Sequence, residues 1–156
     1  MSILEELEHS YRSAAEGIEK LIKGTTWLIQ LYKSDPVRAI EVARHCVASA
    51  QELARPREEG LSHWIIGRAA TLLRDYETAL EEMNKAKLAF EQCKDYDALG
   101  NVYHCIGDIY EKNNNFEAAL SVYADAIGFL EGQQSEQCRQ ILTRVLNGFG
   151  IIQCKI

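Results

Sequence analysis

The 156-residue sequence predicts an all-α fold, a right-handed α-α superhelical solenoid of about three helical hairpins plus terminal helices. Two observations carry that expectation. Ala39, Ala79 and Ala119 recur at an offset of forty, and the same offset matches Leu80 with Leu120, Ala86 with Ala126, Tyr76 with Phe116, and Ile66-Gly67 with Ile106-Gly107. A helical pair of that length cannot bury its apolar face alone, so self-similarity at this period implies stacked hairpins sharing a continuous core. The second observation is the scarcity of helix breakers, since the only prolines, Pro36 and Pro56, both fit the start of a helix, where a missing amide costs nothing.

The elements follow in order. Ile3, Leu7, Tyr11, Ala14, Ile18, Leu21, Thr25, Leu28 and Tyr32 keep a helical stripe up to the turn at Ser34-Asp35-Pro36. One long helix satisfies this pattern, as do two consecutive helices broken near Gly24, the reading favoured here. Helices are then expected near 36–53, 57–73, 76–93, 96–113, 116–131 and 135–153, with short connections suited to antiparallel neighbours. Asp75 before Tyr76, and Asn113-Asn114-Asn115 before Phe116, supply turn formers and N-cap candidates. Val102, Ile106, Ile109 and Tyr110 give one helix an apolar face at three-and-four spacing. Residues 1–156 thus read as a single domain. Its parts are 1–33 (one or two helices, including a degenerate first helix of repeat 1), 34–56 (second helix of repeat 1), 57–95 (repeat 2), 96–134 (repeat 3) and 135–156 (an unpaired last helix).

Repeat 2 carries Trp64, Gly67, Tyr76, Ala79 and Ala86, and repeat 3 carries Tyr103, Gly107, Tyr110, Phe116, Ala119, Tyr123 and Ala126. This pattern resembles the tetratricopeptide repeat over residues 60–131, with aromatics and a small residue on a first helix and small residues on a second. Gly67 with Ala79, and Gly107 with Ala119, would let paired helices approach closely. The first copy departs from the pattern, because Trp27 falls forty residues before Gly67 in the small-residue slot. If Gly24 takes that slot instead, about one extra turn separates it from Pro36, Ala39, Ala43 and Cys46. Asn147-Gly148 follows Ile106-Gly107 at an offset of forty-one and suggests a further first helix.

Composition narrows the function. A formal charge of −6 and a pI near 5.3 argue against a nucleic-acid or anionic-membrane surface, which needs a basic stripe. The start, MSILEELEHS, lacks the basic and apolar regions of a signal peptide, and no apolar run reaches the roughly 18 residues needed to span a bilayer. A cytoplasmic protein is expected. Cys46, Cys93, Cys105, Cys138 and Cys154 form an odd set without close pairing, so reduced thiols are expected.

No enzyme, cofactor or metal is expected. Adjacent helical residues point about 100° apart, so neither His45-Cys46 nor His104-Cys105 can aim both side chains at one target. Cys46 stands in the slot of Ala86 and Ala126 and reads as packing. His9 and His63 stand apart in sequence from other potential ligands. Gly67, Gly107 and Gly148 are separated by whole repeats and make no phosphate loop, while Glu5-Glu6 and Glu81-Glu82 read as solvated helix faces.

The resemblance implies a concave groove lined by first helices that binds a peptide or helix of a partner protein. Its groove-lining positions fall here on Leu61, Trp64, Arg68, Thr71, Asn101, His104, Asp108 and Glu111. Trp64 and Arg68, one turn apart, suit an apolar anchor beside a carboxylate, although packing between repeats is the commoner role for such a tryptophan. The family's chaperone-tail clamp is not reproduced, because its places hold Trp64, Arg68, Cys105 and Asp108. The forty-residue period and phrases such as DPVRAIEVA resemble regulatory or sensory arrays of bacterial signalling proteins, including cyclases, histidine kinases and transcription regulators. Leu142, Val145, Leu146, Phe149 and Ile152 form an apolar stripe on the last helix, which predicts either truncation of a longer protein or a homodimer through 138–156. A small-molecule or signal-peptide sensor and a stand-alone oligomerisation scaffold are the competing functional readings.

Overall fold

In the computed structural model, which describes all residues 1–156, the chain forms eight helices and no strands. They are α1 (Ile3–Ser13), α2 (Ile18–Ser34), α3 (Pro36–Glu52), α4 (Pro56–Leu72), α5 (Tyr76–Cys93), α6 (Tyr96–Lys112), α7 (Phe116–Glu131) and α8 (Glu136–Lys155). Two compact units divide them, Met1–Cys93 with α1 to α5 and Lys94–Ile156 with α6 to α8. In the first unit each helix packs on the next, and α2 also meets α4. In the second, α6, α7 and α8 pack pairwise.

The joints keep a shorter beat than the sequence repeat. Ala54, Arg74, Lys94 and Asn114 all adopt positive φ, between 53° and 62°, at intervals of twenty. At three of them the same left-handed helix end closes the turn. Arg55 N donates to Ala50 O, Asp75 N to Ala70 O and Asn115 N to Tyr110 O, while the residue before each donates three positions back. The next helix is then capped. The side chains of Asp35, Asp75, Asp95, Asn115 and Ser135 each accept from the amide three residues on. Arg55 breaks the series and instead pairs with the buried Glu58 at 2.7 Å, while Pro56 removes one amide from the helix start.

Only Asn114 among the four left-handed positions is a residue that tolerates that region well. A left-handed alanine costs about 1–2 kcal/mol, and glycine loses about 0.5–1 kcal/mol more chain entropy on folding. Ala54→Gly is therefore expected to stabilise the protein by about 0.5–1 kcal/mol, with Asn114→Gly gaining less. Urea unfolding of both variants checks the order.

The N-terminal stripe is two helices, but the break lies at Ala14–Gly17 and not near Gly24. Ala14 is extended and Gly17 sits at φ 116°, a region reserved for glycine. Gly24 lies buried inside α2 because space, not flexibility, demands it. A Cβ there would stand 3.0 Å from both Cys46 Sγ and the Tyr11 ring.

The second helices repeat their burial in register. Ala39, Ala43, Cys46 and Ala50 of α3 are buried, as are Ala79, Met83, Ala86 and Phe90 of α5 and Ala119, Tyr123, Ala126 and Leu130 of α7. Facing slots exchange size. Gly67 stands against Met83 and Gly107 against Tyr123, whereas at the same offsets in the first copy the large residue is Trp27 and the small one Ala43. Both of these are buried in one cluster with Leu28, Leu31 and Ile65. The anomalous Trp27 is thus matched by a small residue in the same cluster, with volume moved from second helix to first.

The last helix is not unpartnered. Cys138, Ile141, Val145 and Ile152 recur at three, four and seven, and bury their side chains with Tyr123, Ala126 and Leu130 of α7. Gly148 brings the backbone of α8 onto the Tyr123 ring, where a Cβ would lie 3.0 Å from Cζ.

Candidate functional site

α4 is the most enclosed helix, with ten buried residues. Beyond Pro56 and Glu59, its open positions fall on one line, Arg57, Leu61, Trp64, Arg68 and Leu72, at spacings of four, three, four and four. The ring of Trp64 is half-buried and lies edge-on to Tyr32 of α2, with centroids 5.9 Å apart. Its indole Nε1 is buried without a hydrogen-bond partner, a costly condition for an N–H group. Lys33 stands over the outer side of Tyr32 at 5.8 Å.

Three of the four groove positions expected on α4, Leu61, Trp64 and Arg68, lie on this line. Thr71 does not. It is buried, and its hydroxyl donates to Gly67 O at 2.7 Å, because a threonine inside a helix satisfies itself on the preceding turn. Asn101, His104, Asp108 and Glu111 are half-buried on α6, and α8 engages two of them. Arg144 donates to Asn101 Oδ1 at 3.1 Å, and Lys155 pairs with Glu111 at 3.2 Å. Asp108 pairs with Lys112 at 2.7 Å, and His104 lies 6.5 Å from the Tyr123 ring.

The apolar stripe assigned to self-association also divides. Val145 and Ile152 are fully buried inside their own unit and offer nothing to a second molecule. Leu142 and Phe149 are half-buried against the same core, and Leu146 is 49% exposed.

A concavity opens on the other side of α4. It measures about 460 Å³ and is walled by Arg44, Val47 and Gln51 of α3 and Lys85, Leu88 and Gln92 of α5. Its floor is polar. His63 Nδ1 lies 2.6 Å from Glu82 Oε2, Lys85 reaches Glu82 at 3.2 Å, and His63 Nε2 faces Glu59 across 3.9 Å, beyond hydrogen-bond reach. Burial raises the Glu82 pKa, but the hydrogen bonds and charges of His63 and Lys85 outweigh it, leaving the carboxyl below its ordinary value. One sequence signal points here. Glu82 occupies the slot held by Val42 and Val122 in the other second helices.

Cys46 and Cys138 lack the surroundings that activate cysteine. Burial pushes Cys46 up to about 11, and burial also raises Cys138, whose Sγ lies 3.0 Å from Asp97. No three His, Cys, Asp or Glu side chains converge to hold a metal ion. No helix is long and apolar enough to cross a membrane.

No protein-family model matches the chain, and no curated protein does.

Proposed function

We propose that the chain is a protein-interaction module that takes a peptide or helix of a partner along the open line of α4, with Trp64 as the anchor. The observation that carries this reading is the composition of that line. On α4 the open line holds Leu61 and a half-buried tryptophan braced by Tyr32. Large aromatic residues held rigidly at a surface are the residues that dominate protein interfaces. The forty-residue repeat and its resemblance to tetratricopeptide arrays support the same role, that of a regulatory or sensory segment in a signalling protein.

Selection of a random peptide library on the protein tests the proposal. Selected peptides are expected to lose about 2 kcal/mol of binding, a factor near 30, on Trp64→Ala. The exposed Leu88→Ala serves as a control and is expected to leave binding unchanged. Peptides indifferent to Trp64 would sink the assignment.

A further inference from the structure

α1 covers a surface formed by α2 and α3. α1 buries none of its residues. It rests on the neighbouring core by one stripe, Leu4, Leu7 and Tyr11, at spacings of three and four. Tyr11 stacks on Trp27 of α2 at 5.5 Å, fitting over the backbone at Gly24, where a Cβ would collide with its ring. Arg38 of α3 stands 5.2 Å over the Trp27 ring and reaches Glu8 of α1 at 2.5 Å.

The seat therefore has the parts of a helix receptor. Trp27 is a fully enclosed platform, Gly24 leaves room for one aromatic ring, and Arg38 selects a carboxylate one turn before that ring. The bound sequence reads Leu-x-x-Leu-Glu-x-x-Tyr on an acidic helix begun by a capping box at Ser2 and Glu5.

Nothing in this contact makes α1 permanent. An eleven-residue helix is marginal on its own in water. Its link to α2 is only Ala14–Gly17, and its ion pair with Arg38 is partly exposed and open to screening by salt. Segments with few buried contacts open first and at low free-energy cost.

We propose that the α2–α3 surface under α1 is a docking site for a partner protein's acidic amphipathic helix of the pattern Leu-x-x-Leu-Glu-x-x-Tyr, and that α1 is its built-in competitor. This surface is independent of the Trp64 line. A short tether presents α1 to the seat at an effective concentration of order mM. With an intrinsic affinity of about 100 μM for the seat, α1 would then make a partner helix bind the intact chain roughly tenfold more weakly than a chain whose α1 has been loosened.

A fluorescein-labelled peptide of residues 2–13, titrated by anisotropy into the full-length chain, tests this. The Leu7→Ala/Tyr11→Ala chain is expected to bind the peptide at least tenfold more tightly than the wild type. Adding Arg38→Glu should abolish most of that gain, and a Glu8→Lys peptide should restore it. Amide hydrogen exchange on the unmodified chain supplies a measurement free of folding artefacts, with α1 expected to exchange well before α2 and α3.

Protection of α1 equal to that of α2 would overturn the proposal. So would peptide binding that ignores the charge swap, or no binding by a loosened chain that keeps its helical circular dichroism. A concentration-dependent dimer of the wild type, lost in Leu7→Ala/Tyr11→Ala, would give the seat to a second copy's α1 and overturn the assignment to a different protein.

Discussion

Gly107→Ala is expected to lower the unfolding free energy by about 3 kcal/mol, at the upper end of what overpacking a core usually costs. A Cβ on Gly107 would stand 2.1 Å from Tyr123 Cε1 and 2.6 Å from both Cδ1 and Cζ. The ring cannot swing away freely, because the backbone of α8 closes on its far side at Gly148. Either α6 moves off α7 or Tyr123 leaves its place, and both forfeit packing in a unit of only three helices. Tyr123→Leu in the Gly107→Ala background should recover part of the loss, giving a coupling of 1 kcal/mol or more. The control is Gly128→Ala on α7, where a Cβ meets nothing within 4 Å. That change removes a glycine from an exposed helix interior and should stabilise by about 0.5–1 kcal/mol. Urea unfolding of these three variants and of Tyr123→Leu alone decides the matter. Equal effects at Gly107 and Gly128 would show that size exchange across α6 and α7 does not govern the packing.

That contrast also marks what the sequence could show. The forty-residue offset predicted the helices after Pro36 closely, because hydrophobic spacing and cap residues are local signals. Asp75 and Asn115 cap as their residue types suggest. Gly24 was misleading for a physical reason. A glycine inside a helical stripe reads as a weak point, yet here it marks the place where Tyr11 and Cys46 crowd the backbone, and the chain turns instead at Gly17. The last helix misled in a similar way, since a stripe at helical spacing does not reveal whether its cover comes from another molecule or from α7 and α6. Among the surface residues, Leu61, Trp64 and Arg68 came from the resemblance to the repeat family, and they fall on one line of α4. The cleft was not, because His63 and Glu82 stand nineteen residues apart on different helices and meet only when α4 and α5 pack.

His63 and Glu82 carry the other large effect. His63→Leu leaves a carboxylate that is only 3% exposed with Lys85 as its remaining cationic partner. Removing one member of a buried pair strands the other, and the expected loss is about 3 kcal/mol, moderated by the open cleft beside it. Glu82→Val alone leaves the imidazole Nδ1 without its acceptor and should cost about 1–3 kcal/mol. The double variant His63→Leu/Glu82→Val behaves differently. It installs the valine already present at positions 42 and 122, removes both polar groups together, and should unfold within about 1 kcal/mol of the wild type.

Acid separates the two folds further. The Glu82 pKa is lower in the folded state than its ordinary value of 4.5, so its contribution is fully present above that value and is lost as pH falls through the folded pKa. The wild type should therefore lose more stability than the double variant as pH falls below about 4.5. Other carboxylates held low, such as Glu58 beside Arg55, are common to both proteins and cancel in the difference. A double variant as unstable as His63→Leu would mean that the pair holds α4 and α5 in register, a role no apolar replacement fills. A double variant of wild-type stability would leave the polar floor of the cleft without a structural reason, and would direct the search for a ligand to the space between Arg44, Lys85 and Glu59.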